Sequence, residues 1–186
     1  MLSLGTSVPA FTLPDLNGTM VSPDDFRDAP ALLVAFICHH CPFVTHIRHG
    51  FARFAAEYQP LGLGIVAINS NDVDAFPEDG PDGMRQEAAA AGYTFPYLFD
   101  ETQAVAKAYR AACTPDLYLF DRDRILVYRG RFDDSRPRTN PPMPVTGRDI
   151  RDAVDAVLAG NPVSPDQRGS VGCNIKWKRG NAPDYF

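Results

Sequence analysis

The chain has 186 residues, 45% of them hydrophobic and 22% charged, with a formal net charge of -5. That length fits a single domain able to bury its core without a disulfide framework or structural metal. The acidic balance counts against a nucleic-acid binder, no apolar run reaches the roughly 18 residues of a membrane helix, and Met1–Gly5 has no leader-like pattern, so a cytoplasmic location is expected.

Taken along the chain, Val8 to Val21 alternates apolar and polar residues around Asn17-Gly18, which predicts an N-terminal β-hairpin. Ala31 to Ile37 is a continuous apolar run, the pattern of a strand buried on both faces, and it stops at Cys38. Phe43, Ile47, Phe51, Phe54 and Tyr58 then recur at helical spacing. Gly64 to Ile68 reads as a second buried strand closed by Asn69-Ser70-Asn71. Pro81 to Ala91 reads as a helix with Gly92 past its end. A short strand over Phe95 to Phe99, a helix over Glu101 to Ala112, and an antiparallel pair (Leu117 to Phe120, Ile125 to Tyr128) come next. Arg136 to Pro144 holds four prolines and is expected to be irregular, and Gly147 to Ala159 is the last helix. This order predicts an α/β fold with parallel strands, crossover helices and an antiparallel edge. Residues 1–160 are read as the domain, and 161–186, locally +2 with four basic and two acidic residues, as an irregular tail packed on it.

The four cysteines are too few for a disulfide scaffold, so their arrangement carries the information. Cys38 and Cys41 form a C-x-x-C at the end of the first buried strand, where ligands meet such sheets. All four histidines (His39, His40, His46, His49) fall within eleven residues beside it. A thiol at the start of a helix ionises readily because unpaired amides and the helix dipole favour the anion. The expectation is that Cys38 is this thiolate, tuned by His39 and His40, and that Cys41, one turn on, closes a disulfide with it. A low thiolate pKa stabilises the reduced pair and makes the disulfide an oxidant. A zinc half-site is the competing use of these residues, but it would need Cys113, Cys173 or a second chain to complete it. No metal and no organic cofactor is expected, since no Gly-rich phosphate loop accompanies the dithiol.

Several segments together resemble a known group. These are Val8-Pro9-Ala10-Phe11, Cys38-x-His40-Cys41-Pro42-Phe43-Val44, Ala67 to Asp72, Phe95-Pro96-Tyr97-Leu98, Cys113-Thr114-Pro115-Asp116, Tyr128-Arg129-Gly130, and Gly172-Cys173-x-Ile175-Lys176-Trp177-Lys178. The chain resembles thioredoxin-fold proteins of the peroxiredoxin-like group allied to the alkyl hydroperoxide reductase/thiol-specific antioxidant family. The resemblance implies a thioredoxin-like three-layer sandwich with a central mixed sheet. It implies a cis Pro115 against the dithiol, Thr114 offering its backbone to an extended substrate, Cys38 as attacking thiol and Cys41 as resolving thiol. The activity implied is thiol-disulfide exchange with protein or small-molecule thiols. The rival reading is a thiol peroxidase acting on peroxide through Cys41, because peroxiredoxins place their single reactive cysteine there, before a proline. A third is a metal-binding or redox-sensing protein without turnover. Leu32 to Ile37 lacks the buried carboxylate thioredoxins keep beneath their dithiol, so proton handling is expected to differ or to pass to a histidine. Cys113 is placed at the rim of the site or in the core. Cys173 is an additional resolving thiol if the tail folds over the site with Trp177 as cover; a tail packed on the far side is the preferred expectation. His46 and His49 are expected to face solvent, and Asn69 to Asn71 either cap their strand or reach a ligand. Arg129 or Arg131 is a candidate for steering an anionic substrate.

Overall fold

In the computed structural model, which describes residues 1–185, Asn17-Gly18 turns the chain between β1 (Leu13–Pro14) and β2 (Met20–Val21). Gly18 takes φ 83°, open to glycine without a Cβ penalty. The Asp15 carboxylate accepts the backbone N–H groups of Asn17 and Thr19, both at 2.8 Å. Bonding the turn through Asp15 leaves only two residue pairs in register, so the hairpin is shorter than the alternation implies.

The remaining elements are β3 (Ala31–Phe36), α1 (Pro42–Tyr58), β4 (Leu63–Asn69), α2 (Pro81–Ala91), β5 (Tyr97–Phe99), α3 (Ala104–Ala108), β6 (Cys113–Thr114), β7 (Asp116–Phe120), β8 (Leu126–Gly130), α4 (Arg148–Leu158) and β9 (Cys173–Asn174). Five strands form the central sheet in the order β5-β4-β3-β7-β8. β3, β4 and β5 run parallel, and β7 and β8 add antiparallel. This is the mixed sheet of a thioredoxin-like fold. β3 is central, and its alternation feeds two cores. Leu33 and Ala35 pack with Phe51 and Phe54 of α1, Met84 of α2 and Val154 of α4; Leu32, Val34 and Phe36 pack with Val105, Ala106 and Tyr109. Burying each large apolar side chain contributes about 1.5–3 kcal/mol, which fixes β3 and with it the position of Cys38 just past its carboxyl end.

Two expectations are corrected here. The helix read over Glu101 to Ala112 is confined to Ala104–Ala108. Gln103 before it is left-handed (φ 63°), the Asp100 carboxylate accepts the Ala106 N–H (3.0 Å), and Arg110 (φ 50°) closes it with an Ala111 N–H to Ala106 carbonyl bond of 2.9 Å. The tail is not packed away from the dithiol. Its β9 pairs antiparallel with β6 in the register Cys113↔Asn174 and Thr114↔Cys173, immediately before Pro115. Gln103, Asn71 and Asp72 hold the chain beyond β9 through Lys176 and Lys178. A two-residue strand has no periodicity to read, and its partner is sixty residues away.

Candidate active site

β3 delivers Cys38, and the helix after it receives Cys41. Helix α1 opens at Pro42, whose missing N–H and fixed φ suit the first helical position, and this makes Cys41 the N-cap residue. The helix amides therefore favour an anion on Cys41, three residues beyond the position expected. The Cys41 sulfur is the hub of the site: the Cys38 thiol, the Thr114 hydroxyl, the Val44 N–H and the Cys173 thiol lie around it and favour its anion. Together these outweigh burial and hold the Cys41 thiol down at about 4. One contact opposes ionisation: the protonated thiol donates to the Thr114 carbonyl at 3.1 Å, and that bond is lost with the proton.

Cys38 shifts in the opposite direction. Its proton is held in the bond to Cys41, burial disfavours its anion, and the Asp79 charge adds to both, so its thiol lies far above the ordinary value. The Thr114 hydroxyl, 3.3 Å away, offsets this only in part. The N-cap position thus favours the anion on Cys41, where the expectation from sequence is Cys38.

The histidines between them do not pair with the thiolate. The His40 ring contacts Asp79 through Nδ1 and stacks on Phe76 at 5.4 Å. His39 Nδ1 lies 3.4 Å from Glu87, a fully buried carboxylate also 3.2 Å from Arg48. Asp79 is the functional residue that sequence reasoning missed. It comes from the turn Pro77–Asp79 after β4 and is fully buried. One oxygen accepts the backbone N–H groups of His39 (3.0 Å) and His40 (3.1 Å); the other accepts Asn71 Nδ2 (2.7 Å) and faces the His40 ring. A buried carboxylate does lie beside the dithiol, then, supplied by a loop and not by β3.

Cys38 Sγ, a His40 ring nitrogen and an Asp79 oxygen lie within 4.8 Å of one another, donor types that suit zinc. The four donors already facing the carboxylate would have to give way to a metal. Replacing Asp79 with Asn puts an N–H₂ against those donors, and we expect a loss of about 3 kcal/mol in denaturant unfolding. The same change removes the charge beside Cys38, so Cys38 alkylation should begin at lower pH; an unchanged profile would show that Asp79 braces the loop without acting on the sulfur.

The other sequence candidates divide clearly. The Thr114–Pro115 peptide is cis, and the edge of β6 that the resemblance reserves for an extended substrate is occupied by β9. The Cys113 sulfur donates to the Pro115 carbonyl (3.8 Å), and burial raises its thiol. His49 is exposed as expected, but His46 is half-buried with Nε2 3.0 Å from Ser135 Oγ. Asn69 and Asn71 both bind the Pro77–Asp79 turn, so they brace the site. Arg129 donates to the carbonyls of Met1 and Leu2, and Arg131 to Asp149, so each has a structural partner. A small cleft is lined by Phe43, His46, Pro115, Arg136 and Val171, and neither dithiol sulfur is part of its lining. Among the described residues no helix is long and apolar enough to cross a membrane.

Two free thiols at the mouth of a central parallel strand, held against Thr114 and its cis bond to Pro115, define a thiol-based redox protein of thioredoxin fold. Residues 4–129 match the AhpC/TSA family, and the chain belongs to that family. It is similar over 97% of its length to a hypothetical protein of Sinorhizobium meliloti 1021, with 54% identity, a TM-score of 0.94 and 97% of that chain covered. It is 29% identical over 117 residues to a Mycobacterium tuberculosis protein named "Putative peroxiredoxin", a match spanning 63% of this chain and 69% of that one. The thioredoxin domain of a Bacteroides vulgatus thiol-disulfide oxidoreductase shares the fold, with a TM-score of 0.60 at 19% identity over 69% of this chain and 89% of that one. The protein is a thioredoxin-fold, peroxiredoxin-like redox enzyme that works through thiols.

Proposed function

We propose that this enzyme is a thiol-disulfide oxidoreductase whose redox couple is Cys38 and Cys41. The observation that carries this reading is the seating of both sulfurs, at the start of α1, against one residue: Cys38 Sγ lies 3.3 Å from the Thr114 hydroxyl and Cys41 Sγ 3.1 Å from the Thr114 carbonyl. Cys41 is the attacking thiolate. Cys38, deeper and protonated, is the partner that closes the disulfide, and its proton leaves toward the His40–Asp79 pair. Stabilising the Cys41 anion stabilises the reduced pair, so the disulfide is oxidising relative to one built from ordinary thiols. The substrates are protein or small-molecule thiols and disulfides.

One observation favours a peroxidase: Cys41 is the ionised sulfur, it precedes Pro42, and donors from Thr114 and Cys38 surround it as a bound peroxide would require. The two readings separate in Cys38→Ser. A disulfide oxidoreductase loses turnover with glutathione disulfide or insulin and consumes no peroxide. A peroxidase keeps peroxide consumption, because the introduced serine hydroxyl still donates a hydrogen bond to Cys41. Peroxide consumption at the wild-type rate in Cys38→Ser would replace our reading with the second.

A further inference from the structure

Cys38 and Cys41 are 1% and 0% exposed, so direct attack on either sulfur by an external molecule is slow. Cys173 is only half-buried and its thiol lies beside the Cys41 sulfur, close enough to stabilise its anion. The contact arises from backbone register. Thr114 and Cys173 are directly opposed in the β6–β9 pair, and opposed residues put their side chains on the same face. The Thr114 carbonyl and hydroxyl already face the dithiol on that side. Gly172 lets the strand come this close, since a Cβ there would lie 2.0 Å from the Thr114 carbonyl oxygen. Asn174, Lys176 and Lys178 hold the segment in place through Cys113, Asn71 and Gln103. The chain's own tail thus lies where an extended substrate would lie and presents a sulfur to Cys41. Cys113, opposite Asn174, is directed instead at the Pro115 carbonyl.

We propose that Cys173 is a relay thiol, the group through which the buried couple exchanges electrons with an external thiol or disulfide. The inference rests on the reading of Cys38 and Cys41 as that couple. The Cys173 thiol, which burial and the neighbouring Cys41 sulfur push up to about 11, gives up its proton as it attacks an external disulfide; a mixed disulfide forms and one external thiol leaves with that proton. The Cys41 thiolate attacks the Cys173 sulfur, forming Cys41–Cys173 and releasing the second external thiolate. Cys38, its proton passed on, attacks the Cys41 sulfur, forming Cys38–Cys41 and returning Cys173 to the thiol. Over the cycle one external disulfide becomes two thiols, one proton coming from Cys38 and the other from solvent; Cys38 and Cys41 lose two electrons and one proton, and Cys173 ends as it began. An external dithiol drives the same steps backwards.

The test uses the full chain with glutathione disulfide as the probe. In Cys38→Ser the last step is blocked, so non-reducing digestion and mass spectrometry should find a Cys41–Cys173 bond. Cys173→Ser and Cys173→Ala keep the backbone pairing and should slow exchange by about tenfold or more, while the Cys38–Cys41 bond still forms slowly. Cys113→Ser should exchange at the wild-type rate. Absence of the Cys41–Cys173 bond in Cys38→Ser, or wild-type exchange in both Cys173 variants while Cys41→Ser is dead, overturns the relay and leaves the couple standing. Wild-type exchange in Cys41→Ser overturns the couple and the relay together.

Discussion

Cys41→Ser is expected to lower disulfide exchange by about three orders of magnitude or more, because a serine hydroxyl stays protonated where the thiol is ionised. In the wild type, Cys41 alkylation, slow because the sulfur is buried, should hold its plateau rate into mildly acidic solution and fall to half near pH 4, against an ordinary thiol value of 9.0. The same shift has a stability consequence of definite sign. The folded value of Cys41 lies below the unfolded one, so its contribution is fully present above pH 9.0 and is lost as the pH falls toward 4. Cys38 is raised, so its contribution is present below 9.0 and is lost as the solution becomes more alkaline. The reduced fold should therefore gain stability between pH 4 and 9.0, at most about 1.4 kcal/mol per pH unit, and lose it above. The oxidised protein lacks both thiols and so lacks this dependence. Unfolding measured for the two forms across that range checks the claim. An alkylation midpoint near 9.0 would mean that the four donors around Cys41 do not govern it.

Gly172→Val should detach the tail from the site. A side chain at this position meets the Thr114 carbonyl oxygen at 2.0 Å, its carbon at 2.6 Å and the Pro115 nitrogen at 3.1 Å. All three are backbone atoms, which cannot rotate aside as a side chain could, so β9 must leave β6. The cost is about 1–3 kcal/mol or more, in the range of other overpacking changes. It should appear in three readouts together: a lower denaturant midpoint, faster alkylation of Cys173, and failure to form the Cys41–Cys173 bond in a Cys38→Ser background. Gly169→Ala, where an added Cβ meets nothing within 4 Å, is the matched control and should stay within about 0.5 kcal/mol of wild type. Wild-type Cys173 reactivity in Gly172→Val would show that the tail is held by its Lys176 and Lys178 contacts alone.

The elements most legible in the sequence are those set by local rules. The apolar run ending at Ile37 is the central strand, and Pro81 with Gly92 bounds α2 as proline and glycine usually bound helices. The preference for an anion at Cys41 is also legible in the sequence. Pro42 marks the first residue of a helix, so the N-cap, and the benefit of its amides, belongs to Cys41. The residues between the end of β3 and Cys41 lie outside the helix, so Cys38 lacks that benefit. Asp79 was not legible. Pro77-Glu78-Asp79 reads as an ordinary acidic turn, and only the path of the loop after β4 carries it beneath His39 and His40. The role of His40 depends on the same loop, since its ring faces that carboxylate and stacks on Phe76.

Sequence by itself determined that this chain is an α/β protein with two thiols one turn apart at the end of a central strand, because strand burial, helix starts and the reach of a C-x-x-C are all set by spacing along the backbone. Tertiary structure alone decided the surroundings of those sulfurs. The carboxylate beside Cys38 and the third thiol against Cys41 come from segments about 40 and 130 residues further along the chain, and such contacts depend on how loops return across the sheet, a geometry that no local pattern of residues encodes.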